Sequence, residues 1–171
     1  MKPGRNHIKN LNLRNSIFVD NTANEDIAHT YPPFLKSSIS VVTCNKIAAA
    51  ETYEYYSHLK QLARTYNAPY LFETNVGAGL PIIDTLNHLI TSGDKVHTIQ
   101  AILSGSLNFV FNEFNDKTTF REVVQQAMDA GFTEPDPKID LSGVDVARKI
   151  LILARESGLQ MELSDIENES F

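Results

Sequence analysis

The chain is predicted to adopt an α/β fold with a parallel sheet. Three short runs rich in β-branched or aromatic residues, each bounded by polar residues, predict strands at 16–19, 38–43 and 70–74. Helical patterns occupy the two intervals, at 26–34, where Pro32 and Pro33 are expected to stop the helix, and at 48–67. Because strands that alternate with helices are joined by right-handed crossovers, the three strands are expected to run parallel in one sheet.

Polar residues follow each predicted strand at the point where the strand ends. They are Asp20 to Thr22, Asn45 with Lys46, and Asn75 to Gly77. Ligands of open parallel sheets bind beyond the carboxyl ends of the strands, so these residues indicate a nucleotide or substrate crevice. Asn and Asp also terminate strands without any further role. Both interpretations stay open at this point.

The second half of the chain is predicted to be mainly helical. Alternating residues at 95–103 predict a strand that could face a partner subunit. Pro81 suits the first turn of one helix, Gly131 ends another, and Gly158 can close the last. The predicted helices lie at 80–90, at 107–114, at 119–130 and from about 143 to 157.

Composition and charge exclude several classes of function. The net charge is −6 without a compensating basic patch, which argues against nucleic acid and anionic membranes as partners. No apolar run approaches the ~20 residues of a membrane span. The five histidines show no HxxxH or HExxH spacing, so a zinc site is not supported. The single cysteine, Cys44, is interpreted as a small buried thiol in a reducing compartment, and a cytoplasmic location is expected.

The segment from Gly131 to Lys149 concentrates the charged residues of the second half. Pro135 and Pro137 disfavour helical conformation in the residues that precede them, so the acidic part is predicted to be a rigid, non-helical loop. The segment holds Glu134, Asp136, Asp140, Asp145 and Lys149. Asp145 and Lys149 are four residues apart and lie on one helix face, so the pattern indicates a polar site.

A purely structural interpretation of the same segment is also available. Ser142 could be the N-cap of the helix, with Asp145 completing a capping box and Lys149 forming an ordinary i,i+4 pair. Against it, Ile152 lies on the same face as Asp145 and Lys149, opposite the main apolar stripe. This placement predicts a second packing surface that partly encloses the two charges, and enclosed charges need partners or a function.

Five segments of the chain, in order, resemble homoserine dehydrogenases, especially the dehydrogenase half of bifunctional aspartokinase–homoserine dehydrogenases. The resemblance runs from about Ile17 to the end of the chain. The segments are FVDNTAN (18–24), VVTCNKIAAA (41–50), FETNVGAGLPIIDTL (72–86), ILSGSLNFVFNEF (102–114) and the block at 131–156.

The resemblance implies a two-part organisation. Residues 1–74 would form the C-terminal part of a Rossmann-like nucleotide-binding domain. Residues 75–171 would form part of an α+β domain for catalysis, substrate binding and dimerisation. No GxGxxG turn follows the first strand, since Gly77 and Gly79 lack a third glycine in register. The chain is therefore expected to be an internal fragment of a longer enzyme, which would form a homodimer or a higher homo-oligomer.

The resemblance also implies a reaction, the NAD(P)-dependent interconversion of L-homoserine and L-aspartate 4-semialdehyde in threonine and methionine biosynthesis. Lys149 would be the catalytic lysine that donates and takes back the proton. Lys46 would be a second catalytic lysine, at the junction of nicotinamide and substrate. Glu134 and Asp145 would hold the substrate ammonium group, and Asp140 would support them.

Two further sites are implied by the resemblance. Thr22 and Ala23 would line the nicotinamide side of the cofactor site, together with Lys46. A sodium ion would be bound mainly by backbone carbonyls of Glu73, Val76, Ala78 and Leu80, although a plain strand-to-helix turn explains these four residues equally well. The missing phosphate turn motivates an alternative function, a catalytically silent module that persists by oligomerising.

Overall fold

The first half of the molecule is built on a three-stranded parallel sheet. The computed structural model describes residues 15–133 and 135–170. The strands β1 (Ile17–Asp20), β2 (Ser40–Thr43) and β3 (Tyr70–Leu71) lie in sequence order, and both pairs are parallel. The predicted parallel sheet is thus confirmed, with β1 shifted by one residue and with β2 and β3 shorter than the predicted runs.

Four helices accompany this sheet: α1 (Glu25–Ala28), α2 (Tyr31–Leu35), α3 (Ile47–Ala50) and α4 (Tyr53–Thr65). The prediction of a single helix at 26–34 that ends at its prolines was wrong, because Pro32 lies in the first turn of α2. Proline is tolerated there because the N–H that it lacks would have no helical partner in any case. The predicted helix at 48–67 is also divided, and Thr52 caps α4 by accepting a hydrogen bond from Tyr55 N.

The two faces of the sheet have different surroundings. One face packs against α2 and α4 through buried side chains such as Val41, Phe34 and Leu59. The other face exposes Ile17, Val19 and Leu71, each with more than half of its surface open to solvent (61%, 54% and 54%). Parallel sheets are usually covered on both faces. In this sheet, the described residues cover one face and leave the other exposed.

In the described part of the second half there are five α-helices: α5 (Ile82–Thr91), α6 (Gly105–Glu113), α7 (Phe120–Asp129), α8 (Pro137–Leu141) and α9 (Val144–Glu156). Helix α9 enters the main core, because Ile152 and Leu153 pack in the same cluster as the sheet residues. The second packing surface predicted from Ile152 is therefore confirmed. No helix among the described residues is both long and apolar enough to cross a membrane.

The strand predicted at 95–103 is not formed. Residues 94–104 carry no strand, and part of this segment lies against α5, beside Leu86 and Leu89. The alternating pattern is reflected in burial only near the end of the segment, where Ile99 and Leu103 pack on the core while Ile102 is 79% exposed. A strand also needs a neighbour to bond with, and the described residues offer none at this position.

The acidic segment departs from its prediction in two respects. Asp136 is extended (φ −105°, ψ 106°), as expected for a residue before proline, but Pro137 then starts α8 instead of continuing a loop. Ser142 is not the N-cap of α9. That position belongs to Gly143, whose φ of +70° lets the chain leave α8 and enter α9 directly.

Candidate active site

Two lysine side chains, one from each half of the chain, meet at one carboxylate. Lys46 lies after β2, at the N-cap of α3, while Asp145 and Lys149 lie one turn apart on α9. Asp145 Oδ2 is 2.7 Å from Lys149 Nζ, and Asp145 Oδ1 is 3.3 Å from Lys46 Nζ. The structure thus brings these three predicted site residues together.

The Lys149 amine is held from a second direction by the backbone. Its Nζ donates to the Leu103 carbonyl at 2.7 Å, in addition to its contact with Asp145. The Lys149 side chain is 17% exposed, whereas Lys46 and Asp145 are 30% and 46% exposed. The arrangement is therefore anchored on its inner side and open to solvent on its outer side.

The two lysines control the ionisation of Asp145. Partial burial by itself would raise the pKa of this carboxyl group. The hydrogen bond from Lys149 and the positive charges of Lys46 and Lys149 outweigh burial, so the pKa of Asp145 lies below its ordinary value. Asp145 is consequently a carboxylate at neutral pH and able to attract a cation.

Asp140 is tied to the segment that contacts Lys149. Ser106 Oγ donates to Asp140 Oδ1 at 2.7 Å, and the Ser104 and Ser106 hydroxyls lie 3.0 Å apart. Since Ser104 directly follows Leu103, these bonds place α8 beside the carbonyl that accepts from Lys149. Sequence reasoning missed Ser106 and Leu103. A backbone carbonyl leaves no sequence signal, and the serine is typical of a turn.

A buried network fixes the carboxyl end of β1. Asp20, only 2% exposed, accepts from Tyr31 Oη at 2.6 Å, from Asn45 Nδ2 at 3.1 Å and from both donors of Thr22 at 2.7–2.8 Å. Burial would raise the pKa of Asp20, but these hydrogen bonds together lower it below its ordinary value. The network connects the end of β1 to the loop that carries Lys46. Sequence reasoning recorded Asp20 and Asn45 only as polar strand ends and missed Tyr31.

Thr22 and Ala23 lie exposed on the turn that follows β1. Asn45 Nδ2 donates to the Asn24 carbonyl at 3.0 Å, so this turn is bonded to the loop after β2. The N–H and the hydroxyl of Thr22 are both directed at Asp20. Its carbonyl and the backbone of Ala23 are therefore the groups that this turn offers to a ligand.

The residues predicted to bind sodium form the turn between β3 and α5. The Glu73 carboxylate accepts from Ile83 N and Asp84 N, both at 2.8 Å, and so caps α5. Ala78 has a positive φ of 52°, and Leu80 is 62% exposed, while Val76 is fully buried. The carboxylate of Glu73 is thus engaged by the helix, and backbone carbonyls are the remaining candidate ligands.

Two other predictions have different outcomes. The prediction that Cys44 is buried was wrong, because it is a free and exposed thiol. Side chains alternate along β2 and just beyond it, and since Thr43 points inward, Cys44 points outward. Glu134 lies outside the residues that the structure describes, so its predicted contact with the substrate stays a prediction.

Comparison with protein-family models gives two matches. The model described as "Homoserine dehydrogenase" covers residues 81–171, more than half of the chain. The chain belongs to the homoserine dehydrogenase family. The model described as "Homoserine dehydrogenase, NAD binding domain" covers residues 5–73. The resemblance recognised in the five sequence segments is thereby confirmed.

Known proteins agree with this family membership. The bifunctional aspartokinase/homoserine dehydrogenase of Haemophilus influenzae is 48% identical over 162 residues, which are 95% of this chain and 20% of that protein. A crystal structure of a Candida auris protein of unknown function has a TM-score of 0.86 and 40% identity, and covers 95% of this chain and 47% of its own. A hyperthermophilic archaeal homoserine dehydrogenase in complex with NADPH has a TM-score of 0.75 and 33% identity, and the match covers 82% of this chain and 43% of that chain. The chain thus spans about a fifth of the length of the first of these proteins and less than half of the two crystal structures.

Proposed function

We propose that this chain carries part of the active site of an NAD(P)-dependent homoserine dehydrogenase. The reaction is the interconversion of L-homoserine and L-aspartate 4-semialdehyde. The observation that supports it most directly is the contact of Lys46 with Asp145 and Lys149. That contact joins the segment matched by the NAD-binding model to the segment matched by the dehydrogenase model.

In this proposal Lys149 handles the proton of the substrate hydroxyl. It donates a proton to the aldehyde oxygen in the reductive direction and takes it back in the oxidative direction. Asp145 and the Leu103 carbonyl hold two of its three N–H groups, which leaves one that can point at a substrate oxygen. Because the amine is already held in place, aligning it with the substrate costs less entropy.

Acidic side chains are proposed to hold the substrate ammonium group. Asp145 is charged and almost half exposed, and its carboxylate has acceptor sites beyond those used by the two lysines. A substrate ammonium would share Asp145 with Lys149 or replace Lys46 at its Oδ1. Glu134 would complete the pair of acids, and Asp140, fixed by Ser106, would support the same region.

The nicotinamide cofactor is proposed to lie at the carboxyl ends of β1 and β2. The cofactor supplies or accepts the hydride in this reaction. The described residues fit it, since the turn of Thr22 and Ala23 is exposed and bonded to the loop that precedes Lys46. The NADPH bound by the archaeal relative supports the same cofactor class here.

The proposal also includes a sodium ion bound at the turn after β3. The tight turn from Val76 to Leu80, with Ala78 at positive φ, supports it by gathering backbone carbonyls within a few residues. Replacing choline chloride by sodium chloride at constant ionic strength should raise the midpoint of thermal unfolding, because an ion that binds only the folded chain stabilises it. Equal midpoints in the two salts would contradict the sodium site.

The proposal also covers the division into domains, the oligomeric state and the cellular location. Residues 1–74 would be the nucleotide-binding part, and residues 75–171 the part for catalysis and dimerisation. The boundaries of the two matched models, at residues 73 and 81, support this division. A homodimer, or a higher homo-oligomer, is proposed as the assembly. The single cysteine supports a reducing compartment such as the cytoplasm.

Replacing Lys149 by methionine tests the proposed chemistry. We expect Lys149→Met to lower turnover of aspartate semialdehyde by roughly 100- to 10,000-fold, the usual contribution of a general acid. NADPH affinity should stay within about twofold, because the side chain contacts the substrate rather than the cofactor. Turnover and NADPH binding are measured on the chain, and on the chain joined to the flanking segments of its relatives.

The exposed Lys117→Met is the matched control and should leave both quantities unchanged. Near-normal turnover in Lys149→Met would show that Lys149 is not the proton donor. The silent module makes a different prediction, namely no saturable NADPH binding by the unaltered chain. Tight binding would therefore reject that alternative.

A further inference from the structure

The Arg155 guanidinium is completely buried and is bonded to two separate segments of the chain. Its side chain is 0% exposed. Nη1 donates to the carbonyls of Ala49 and Glu51, at 3.0 and 2.6 Å. Nε and Nη2 both donate to the Met161 carbonyl, at 3.0 and 2.8 Å, and Nη2 also pairs with Glu162 at 3.0 Å. The guanidinium thus has five hydrogen bonds to protein oxygens.

These bonds hold the far end of the helix that follows Lys46. Helix α3 begins after Lys46, which pairs with Asp145. At its other end, the carbonyls of Ala49 and of the C-cap residue Glu51 accept from Arg155. Asp145 and Arg155 both belong to α9, ten residues or about 15 Å apart along its axis. Two contacts at that separation fix both the position and the direction of α3 against α9.

The site of Arg155 is built for a planar group. The Tyr53 and Tyr56 rings lie 5.8 and 5.4 Å from its Cζ, within the range of cation–π attraction. The accepting oxygens need donors in a rigid fork, which the single ammonium of lysine cannot supply. Lysine would keep the charge at this position and lose most of the hydrogen bonds.

We propose that Arg155 is a positioning residue, which holds Lys46 within reach of Asp145 and so aligns the two halves of the candidate active site. The consequence for catalysis rests on the proposed function, whereas the alignment itself is a property of the fold. Arg155 does not contact the reacting groups and acts only through α3. The surrounding contacts with Met161 and Glu162 supply the rigid support that this role needs.

The test follows the ionisation of Asp145, which responds to the charged groups that face it, Lys46 and Lys149. The titration of the Asp145 carboxyl carbon is recorded by NMR in the folded chain and in Arg155→Lys. We expect the pKa of Asp145 to rise in the variant, by an amount comparable to that in Lys46→Met, because Lys46 moves away. Arg148→Lys, on the same helix, is the matched control and should leave the titration unchanged.

An unchanged Asp145 titration in folded Arg155→Lys would overturn the proposal, even if the variant is less stable. Should Arg155→Lys fail to fold, Glu162→Gln removes the charge that pairs with Arg155 and keeps an amide oxygen that can still accept from Tyr53 N. The same upward shift, smaller in size, is expected. No shift in Glu162→Gln would then overturn it. The titration needs neither cofactor nor turnover. A failure of the dehydrogenase proposal would appear as absent NADPH binding, with the titration results unaffected.

Discussion

Two carboxylates show how single residues tune this fold. Asp145 is half-exposed and faces two ammonium groups, while Asp20 is buried and faces uncharged donors. In both cases burial alone would raise the pKa of the carboxyl group, and the partners reverse that effect. A buried charge is tolerated where its acceptor sites are occupied, and Asp20 accepts four hydrogen bonds.

Asp20 is expected to make stability depend on pH in the acid range. Because its folded-state pKa is lowered, its contribution is fully present above the pKa of the unfolded chain and is lost as pH falls through the folded value. Asp20→Asn should lower the free energy of unfolding at pH 7 by roughly 1–3 kcal/mol, since Tyr31 and Thr22 lose a charged acceptor. The variant should also lose less stability than the parent between pH 7 and acid conditions.

Urea denaturation at a series of pH values measures both effects. The exposed Asp116→Asn serves as the control, and it should reproduce the pH dependence of the parent chain. If Asp20→Asn showed the same acid dependence as the parent, the linkage assigned to Asp20 would be wrong.

At the residue scale, sequence reasoning identified contacts within one helix and missed those across the fold. Asp145 and Lys149 were predicted to be neighbours from their spacing alone, and their ion pair confirms it. Tyr31 and Ser106 could not be found in this way, because their partners lie 11 and 34 residues away in sequence. The folded chain decides which distant polar groups meet.

At the element scale, local signals succeeded where the element needs no distant partner. Helix α7 lies within its predicted range, with a capping box at Thr119 and Glu122 and the left-handed Gly131 just beyond its end. Helix α9 likewise ends where Gly158 predicted. Helix boundaries of this kind are set by side chains within a few residues of the terminus.

Elements that depend on context were predicted less well. Pro32 and Pro137 were interpreted as breaking helices, yet they lie in the first turns of α2 and α8, because the first turn does not use the N–H that proline lacks. The segment 95–103 has the alternation of a strand without a described neighbour to pair with. Its hydrogen bonding is a tertiary property that periodicity does not determine.

At the scale of the whole molecule, α9 connects the two halves through a buried acid as well as through Arg155. The Glu156 side chain is 1% exposed and accepts from Lys60 Nζ at 2.9 Å, from Asn87 Nδ2 at 3.0 Å and from Tyr56 Oη. Burial, reinforced by the charge of Glu156, raises the pKa of Tyr56, so this hydroxyl stays protonated and donates. Helices α4, α5 and α9 thus share one carboxylate.

Removing this carboxylate should destabilise the chain strongly. We expect Glu156→Ala to lower the free energy of unfolding by about 2–4 kcal/mol, because Lys60 and Tyr56 lose their charged acceptor. The value lies toward the low end for a buried pair because Lys60 is 27% exposed. Guanidinium denaturation gives the free energy of unfolding, and the exposed Glu113→Ala should change it little.

A loss below about 0.5 kcal/mol in Glu156→Ala, the level of an ordinary surface change, would contradict the role given to this side chain. Asn87 and Lys60 lie on helices predicted from periodicity, but their common partner was not predictable. A glutamate near the end of α9 has the same local pattern whether it points to water or into the core.

The meeting of Lys46 with Asp145 and Lys149 has a consequence for how the chemistry arises during folding. The lysine after β2 and the acid on α9 are remote in sequence, and nothing local draws them together. Neither segment, as an isolated peptide, would contain the complete cluster of Lys46, Asp145 and Lys149. Any catalytic competence therefore requires that the helix carrying the acid has docked on the sheet, so that function itself reports a completed tertiary structure.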